Sequence, residues 1–227
     1  MRAISYVGAL ALLTVFVSLP ARAGFVWNES NAGSLPPTAE VTQGAGALTQ
    51  INGHLDFDLN TQLWGVDMYA IGISDPSKFM AFTEDGPANL SDPALYLFNA
   101  LGVGVYMNND NSGTDFQATL PAGSPFGPST SGLYYLAVAW GFSDALSGDS
   151  IFSLDQFLDT TGVYGATGPG GADSVAAWNT SSAPSDFNLP ANYSIDLRGA
   201  AAAPEPGTLA LLAAAALGMM TRRRRIS

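Results

Sequence analysis

Large apolar and other side chains alternate along Asp67–Ile73 (DMYAIGI) and again along Leu133–Trp140 (LYYLAVAW). Successive side chains on an extended backbone point to opposite faces, so period two with aromatic and β-branched residues predicts strands. Ala94–Met107 predicts two more, folded at Leu101–Gly102, and Asn192–Leu197 predicts a closing strand. Residues 24–47 are polar, small and punctuated by Gly and Pro, a lead-in with one short strand at Phe25–Asn28. Turn clusters recur at Ser74–Pro76, Glu84–Pro87, Asn108–Gly113 and Pro121–Gly132, where Gly, Pro, Asn and Asp favour chain reversal. No part of the body carries a sustained apolar stripe at helical spacing, and no internal repeat is visible. The expected fold class is all-β: a single antiparallel β-sandwich, jelly-roll-like, over residues 48–199. From Gly141 to Pro190 the pattern turns loop-like, with TGVYGATGPGGADS as its most flexible piece and a helical turn conceivable around Ser150–Leu158. Gly199–Ala203 reads as a tether between the body and the C-terminal segment.

Composition narrows the classes. With 227 residues, 47% apolar, 12% charged and no cysteine, the chain is neither disordered, collagen-like nor a disulfide scaffold. The net charge is -11, and six of the eight basic residues are terminal. Between residues 24 and 203 there are 18 acids against Lys78 and Arg198. Such a body repels phosphate backbones, which excludes nucleic acid as a partner.

Both ends carry signals. Met1-Arg2, an apolar run from Ala3 to Leu19, then Pro20 and Ala21-Arg22-Ala23 have the order of a signal peptide, with cleavage by signal peptidase expected after Ala23. Residues 1–23 are thus expected to be removed as the protein is exported through the inner membrane. At the other end, Pro204-Glu205-Pro206-Gly207 precedes thirteen apolar or small residues, Thr208 to Met220, then Thr221 and Arg222, Arg223, Arg224 and Arg225. As a helix those thirteen residues would span roughly 20 Å, short of the roughly 30 Å hydrocarbon core. The segment suits transient inner-membrane insertion, with the arginines as a cytoplasmic stop.

Pro204, Glu205 and Pro206, the short apolar helix and the terminal arginine cluster together resemble the PEP-CTERM sorting signal of Gram-negative bacteria, here within a segment 200–227 that includes the tether. The resemblance implies recognition by an exosortase, removal of the tail near Pro204–Pro206 and delivery to the cell surface or an exopolysaccharide matrix. In the body, Asp67-x-Tyr69-x-Ile71, Leu95–Asn99, Tyr106–Asp110 and Gly132–Val138 are similar in order and spacing to the bacterial pre-peptidase C-terminal domain, over residues 48–142. That resemblance implies a secreted β-sandwich accessory module without catalytic activity.

Candidate chemistry is sparse. The nearest approaches to a Gly-x-Ser-x-Gly elbow, at Gly72–Pro76 and Gly141–Ala145, lack the closing glycine. One histidine and no cysteine exclude a zinc site built on His/Cys clusters. His54, Asp56 and Asp58 share one face if their run is a strand; the solvent face of an edge strand is the plainer reading. The abundant carboxylates leave a two-carboxylate glycosidase formally open without marking a pair. Calcium fits better, because exported loops meet millimolar calcium and hard oxygen ligands abound. Asn108, Asp110 and Ser112 stand at alternate positions before Gly113, with Asp115 close by, although Thr119 occupies the place of a twelfth, bidentate acid. The competing interpretation is an ordinary inter-strand turn. Trp64, Trp140 and Trp178 offer either a sugar-stacking platform or core aromatics.

The sequence therefore predicts an exported, exosortase-sorted, non-catalytic structural or adhesive protein of the surface or biofilm matrix, associated with exopolysaccharide. The alternatives are a carbohydrate- or calcium-binding accessory module and a secreted hydrolase using loop carboxylates.

Overall fold

The computed structural model describes residues 23–58, 60, 63–86, 90–141, 143–153, 161–180 and 192–204. The expected signal peptide up to residue 22, Glu205, Pro206, the apolar helix and the arginine cluster lie outside the described residues. In chain order the strands are β1 (Phe25–Asn28), β2 (Glu40–Val41), β3 (Leu48–His54), β4 (Phe57–Asp58), β5 (Leu63–Trp64), β6 (Val66–Ile73), β7 (Met80–Thr83), β8 (Pro93–Asn99) and β9 (Gly104–Asn108). There follow β10 (Thr119–Leu120), β11 (Gly132–Trp140), β12 (Asp144–Ser147), β13 (Asp149–Ser150), β14 (Val163–Gly165), β15 (Ala177–Asn179), β16 (Asn192–Arg198) and β17 (Ala200–Ala202). Pro36–Thr38 and Pro76–Lys78 form single 3₁₀ turns.

β1, β3, β16, β7 and β10 make a five-stranded sheet in that order, and β14, β9, β8, β11, β6 and β17 make the spine of a seven-stranded sheet. β2 completes the larger sheet by pairing with β6 beside β17. Most pairings are antiparallel, as expected; β1 with β3 and β2 with β6 are parallel. The lead-in is thus built into both sheets. β1 stands at Phe25–Asn28 as expected, while β2 escapes notice because it is two residues long and owes its place to a partner far along the chain.

The two sheets face each other across one core. Leu48 and Ile51 of β3, with Ile195 and Leu197 of β16, meet Ile71 of β6, Leu97 of β8 and Leu136 of β11. The alternate residues of the larger sheet do not face water. Met68, Tyr96, Phe98 and Ala137 form a second core with Ile151, Phe152, Val175 and Trp178. This explains why every residue of β6 is buried: a sheet covered on both faces needs apolar side chains of both parities.

The cover for that outer face is the stretch expected to be loop. β13, β12 and β15 form a three-stranded sheet, and β14 extends the seven-stranded one beyond β9. Trp178 of β15 meets Tyr96 and Phe98 edge-on at centroid distances of 5.1 and 6.0 Å. The glycines between them mark tight packing: a Cβ on Gly168, Gly170 or Gly171 would run into the carbonyls of Ser150, Asp149 or Ala166. The conceivable helical turn at Ser150–Leu158 begins instead on β13 and bends, while its residues 154–158 lie outside the described residues.

The tether is also a strand. Ala200–Ala202 pair with Ile71–Ile73 on β6. Gly199, at φ 69°, turns the chain from β16 in one sheet to β17 in the other, and its carbonyl accepts the Ser74 N–H at 2.9 Å.

Candidate functional site

Two polar groupings interrupt these cores. The first lies between the sheets. Alternation along β6 turns Asp67 and Tyr69 toward the five-stranded sheet, where β16 supplies Tyr193. Tyr193 donates its hydroxyl to Asp67 Oδ2 at 2.7 Å, and the Tyr69 and Tyr193 hydroxyls are hydrogen-bonded to each other. Glu29 Oε2 stands 3.5 Å from the Tyr193 hydroxyl and accepts the His54 backbone N–H at 2.8 Å. A Cβ at Gly53 would collide with the Tyr193 hydroxyl, so glycine there admits the network. Asp67 is 6% exposed. Burial pushes its carboxyl up to about 8, the Tyr193 hydrogen bond opposes that, and the charge of Glu29 reinforces it. Burial also raises both tyrosines well above the ordinary phenol value. The arrangement can hold a proton near neutral pH, and its three side chains are enclosed.

The second grouping lies at one end of the sandwich, where β8 begins and β9 ends. Leu95 pairs with Asn108 and Pro93 with Trp140, so Asp92 enters β8 at the end of the sheet where Asn109 and Asp110 leave β9. Asp92 Oδ1 has no hydrogen-bond partner among the described residues and occupies the space that a Cβ on Gly141 would need. Neither Oδ1 nor Nδ2 of buried Asn109 has a hydrogen-bond partner among them either. Buried Gln117 donates Nε2 to the Leu90 carbonyl at 3.3 Å, and its Oε1 has no such partner. Asp110, also buried, is close enough for its charge to act on Asp92. Burial, with that charge in second place, holds the Asp92 carboxyl up to about 6.

Of the residues considered for calcium from the sequence, this grouping includes Asp110. The Asn108 amide is occupied: Nδ2 donates to the Asp110 and Gly162 carbonyls at 3.0 and 2.9 Å, and Oδ1 accepts the Thr119 N–H at 2.8 Å. Ser112 Oγ accepts the Thr114 and Asp115 N–H groups. Asp115 accepts from Asn111 Nδ2 and from the Gln117 N–H, both at 3.1 Å. Ser112 and Asp115 therefore shape the turn that delivers Gln117. Among the described residues, no three His, Cys, Asp or Glu side chains gather as a metal cluster. Asp92, Asn109 and Gln117 carry no local motif; the hairpin at Leu101–Gly102 was the signal that could have placed Asp92 beside Asp110.

The third feature is the end of the fold. Ala203, one residue beyond β17, donates its N–H to the Thr42 carbonyl and to Thr42 Oγ1 at 3.1 and 3.2 Å. Half-buried Pro204 comes directly after. Residues 202–225 match the model of the PEP-CTERM protein-sorting motif. The chain carries a PEP-CTERM sorting signal. It is thereby marked for processing by an exosortase and for export across the membrane toward the cell surface. The PEP-CTERM motif overlaps β17 at Ala202, so the sorting signal starts inside the last strand. No curated protein and no solved structure matches the chain. Ala23, the expected signal-peptidase site, is exposed two residues before β1.

The remaining candidates are accounted for within the folded part ahead of the PEP-CTERM motif. His54 ends β3 with Nδ1 2.9 Å from Asn192 Oδ1, and the chain leaves the strand before Asp56. Asp58 starts again on β4 and caps the Asn60 N–H at 2.8 Å, so the three do not share one strand. Trp64 and Trp140 stack in the inner core at 5.2 Å. Trp178 donates Nε1–H to the Ser34 carbonyl at 2.7 Å. All three tryptophans pack inward.

Proposed function

We propose that this is a non-catalytic structural or adhesive protein, displayed at the cell surface or held in an extracellular polysaccharide matrix after exosortase processing. One observation carries the reading: the sorting motif begins within β17, whose partner β6 lies in the larger sheet, while β16 immediately before it fills the five-stranded sheet. An attachment made at this end pulls on β17 in the larger sheet and, one residue earlier, on β16 in the five-stranded sheet, an arrangement suited to a load-bearing or scaffolding module. The resemblance of residues 48–142 to a secreted accessory domain without catalytic activity supports the same reading. So does the inward packing of the tryptophans, which favours it over a sugar-stacking platform.

The experiment compares the protein's mass and location in cells with and without the exosortase, in the membrane, supernatant and polysaccharide-matrix fractions. Loss of the tail near Pro206 and enrichment in the matrix, both dependent on the exosortase, are expected. A tail retained under both conditions, or processed protein found only free in the medium, overturns the proposal. Hydrolysis of any member of a polysaccharide and peptide panel overturns its non-catalytic part.

A further inference from the structure

The Asp92 grouping is expensive as it stands. A buried amide with neither its donor nor its acceptor satisfied is strongly unfavourable. Two neighbouring buried carboxylates add their mutual repulsion and their desolvation. Among the described residues the lysine and arginine side chains are Lys78 and Arg198. Lys78 is paired with Asp75 at 2.8 Å, and Arg198 lies opposite Met80 in the other sheet. Asp92 Oδ1, both amide atoms of Asn109 and Gln117 Oε1 remain without partners among the described residues, and a proton or a metal ion would compensate them. A proton neutralises one carboxyl and does nothing for the amide oxygens of Asn109 and Gln117. A hard cation draws on every oxygen present.

We propose that Asp92, Asn109, Asp110 and Gln117 bind a calcium ion at this end of the sandwich. Calcium takes six to eight oxygens from carboxylates, Asn and Gln amides, backbone carbonyls and water at about 2.3–2.6 Å. Two carboxylates and two amides supply a mixed set of this kind, with water completing the shell. Magnesium demands near-octahedral geometry at about 2.0–2.1 Å and gives up its waters reluctantly, which suits amide oxygens poorly. Export places the site where calcium is millimolar. The ion would tie the start of β8 to the end of β9 and the turn before β10, closing that end of both sheets.

The test is a calcium titration of the purified full-length protein after chelator treatment, read by heat of binding and by thermal unfolding, with magnesium as the control. The expected result is a saturable one-site isotherm with Kd of about 10⁻³ M or tighter, and a Tm that rises with calcium but not with equal magnesium. Asp92→Asn and Asn109→Ala each weaken binding at least about tenfold, while Ser77→Ala, on the exposed turn at Pro76–Lys78, leaves it unchanged. A flat isotherm in the unsubstituted protein overturns the proposal, and this result stands whether or not any variant folds. Full calcium response in both Asp92→Asn and Asn109→Ala overturns it too, as does a loss confined to Ser112→Ala, which would move the ion to the turn.

Discussion

Tyr193 and Asp67 join the two sheets through a 2.7 Å hydrogen bond, with the hydroxyl as donor and the carboxyl as acceptor. Burial raises Asp67 from 3.8 to about 8, so between those values the folded state holds a proton that the unfolded state has released. Stability therefore falls as pH rises from about 4 to about 8, by up to about 1.4 kcal/mol per pH unit, and levels off above. Asp92, raised to about 6, acts in the same direction over the lower part of that window. Asp67→Asn keeps an acceptor for Tyr193 and cannot ionise. Its Tm is expected to exceed that of the unsubstituted protein at pH 9, with the gap closing toward pH 5. A gap independent of pH would assign the effect to something other than Asp67 ionisation.

Tyr193→Phe deprives both Asp67 and Tyr69 of their shared partner inside the core. A loss of about 1–3 kcal/mol is expected, because buried polar groups are left unsatisfied. Tyr69→Phe removes only the far end of the chain of hydroxyls and should cost about 0.5–1.5 kcal/mol. Urea unfolding of the two variants reads the order, and a larger loss for Tyr69→Phe would contradict the arrangement.

Gly199 and Gly148 share a left-handed backbone, at φ 69° and 77°, but not their surroundings. A Cβ on Gly199 would stand 2.6 Å from the Asp75 carbonyl oxygen, whereas one on Gly148 meets nothing within 4 Å. Gly148→Ala is expected to cost about 1 kcal/mol from backbone strain alone. Gly199→Ala should cost clearly more, since the turn between the sheets has to move. Equal midpoints in denaturant would show that the Gly199 turn yields freely.

Trp178→Ala removes the aromatic lid from Tyr96 and Phe98 and the donor to Ser34. A loss of about 3–5 kcal/mol is expected from the cavity and its lost contacts, measured by thermal or chemical unfolding. A change below about 1 kcal/mol, the range of surface substitutions, would mean that β15 is a dispensable flap.

Much of this fold is written in local alternation. β6, β8, β9, β11 and β16 stand where period two places them, because each is long enough for side-chain parity to show. What stayed hidden depends on distant partners. β2 and β17 are two and three residues long and exist as strands only because β6 offers them an edge. The Gly-rich run from 161 to 174 reads as flexible, yet its glycines are small so that backbone can lie against backbone. The same division holds for the polar groupings. Asp110 stands out in an Asn/Asp-rich turn, while Asp92 and Gln117 reach it through hairpin pairing and loop return, which no linear spacing encodes.

The position of β16 bears on when the domain can finish folding. β3 and β7 lie side by side only through β16, which pairs with both and comes from the last part of the body. A chain threaded outward from its N-terminus would present those two strands with open edges until residues 192–198 arrive, and open edges invite association with other chains. Because β17 and the sorting motif come directly after, the strand that closes the five-stranded sheet emerges only just ahead of the signal that an exosortase reads, so its neighbours' edges stay open until that signal is the next part of the chain to appear.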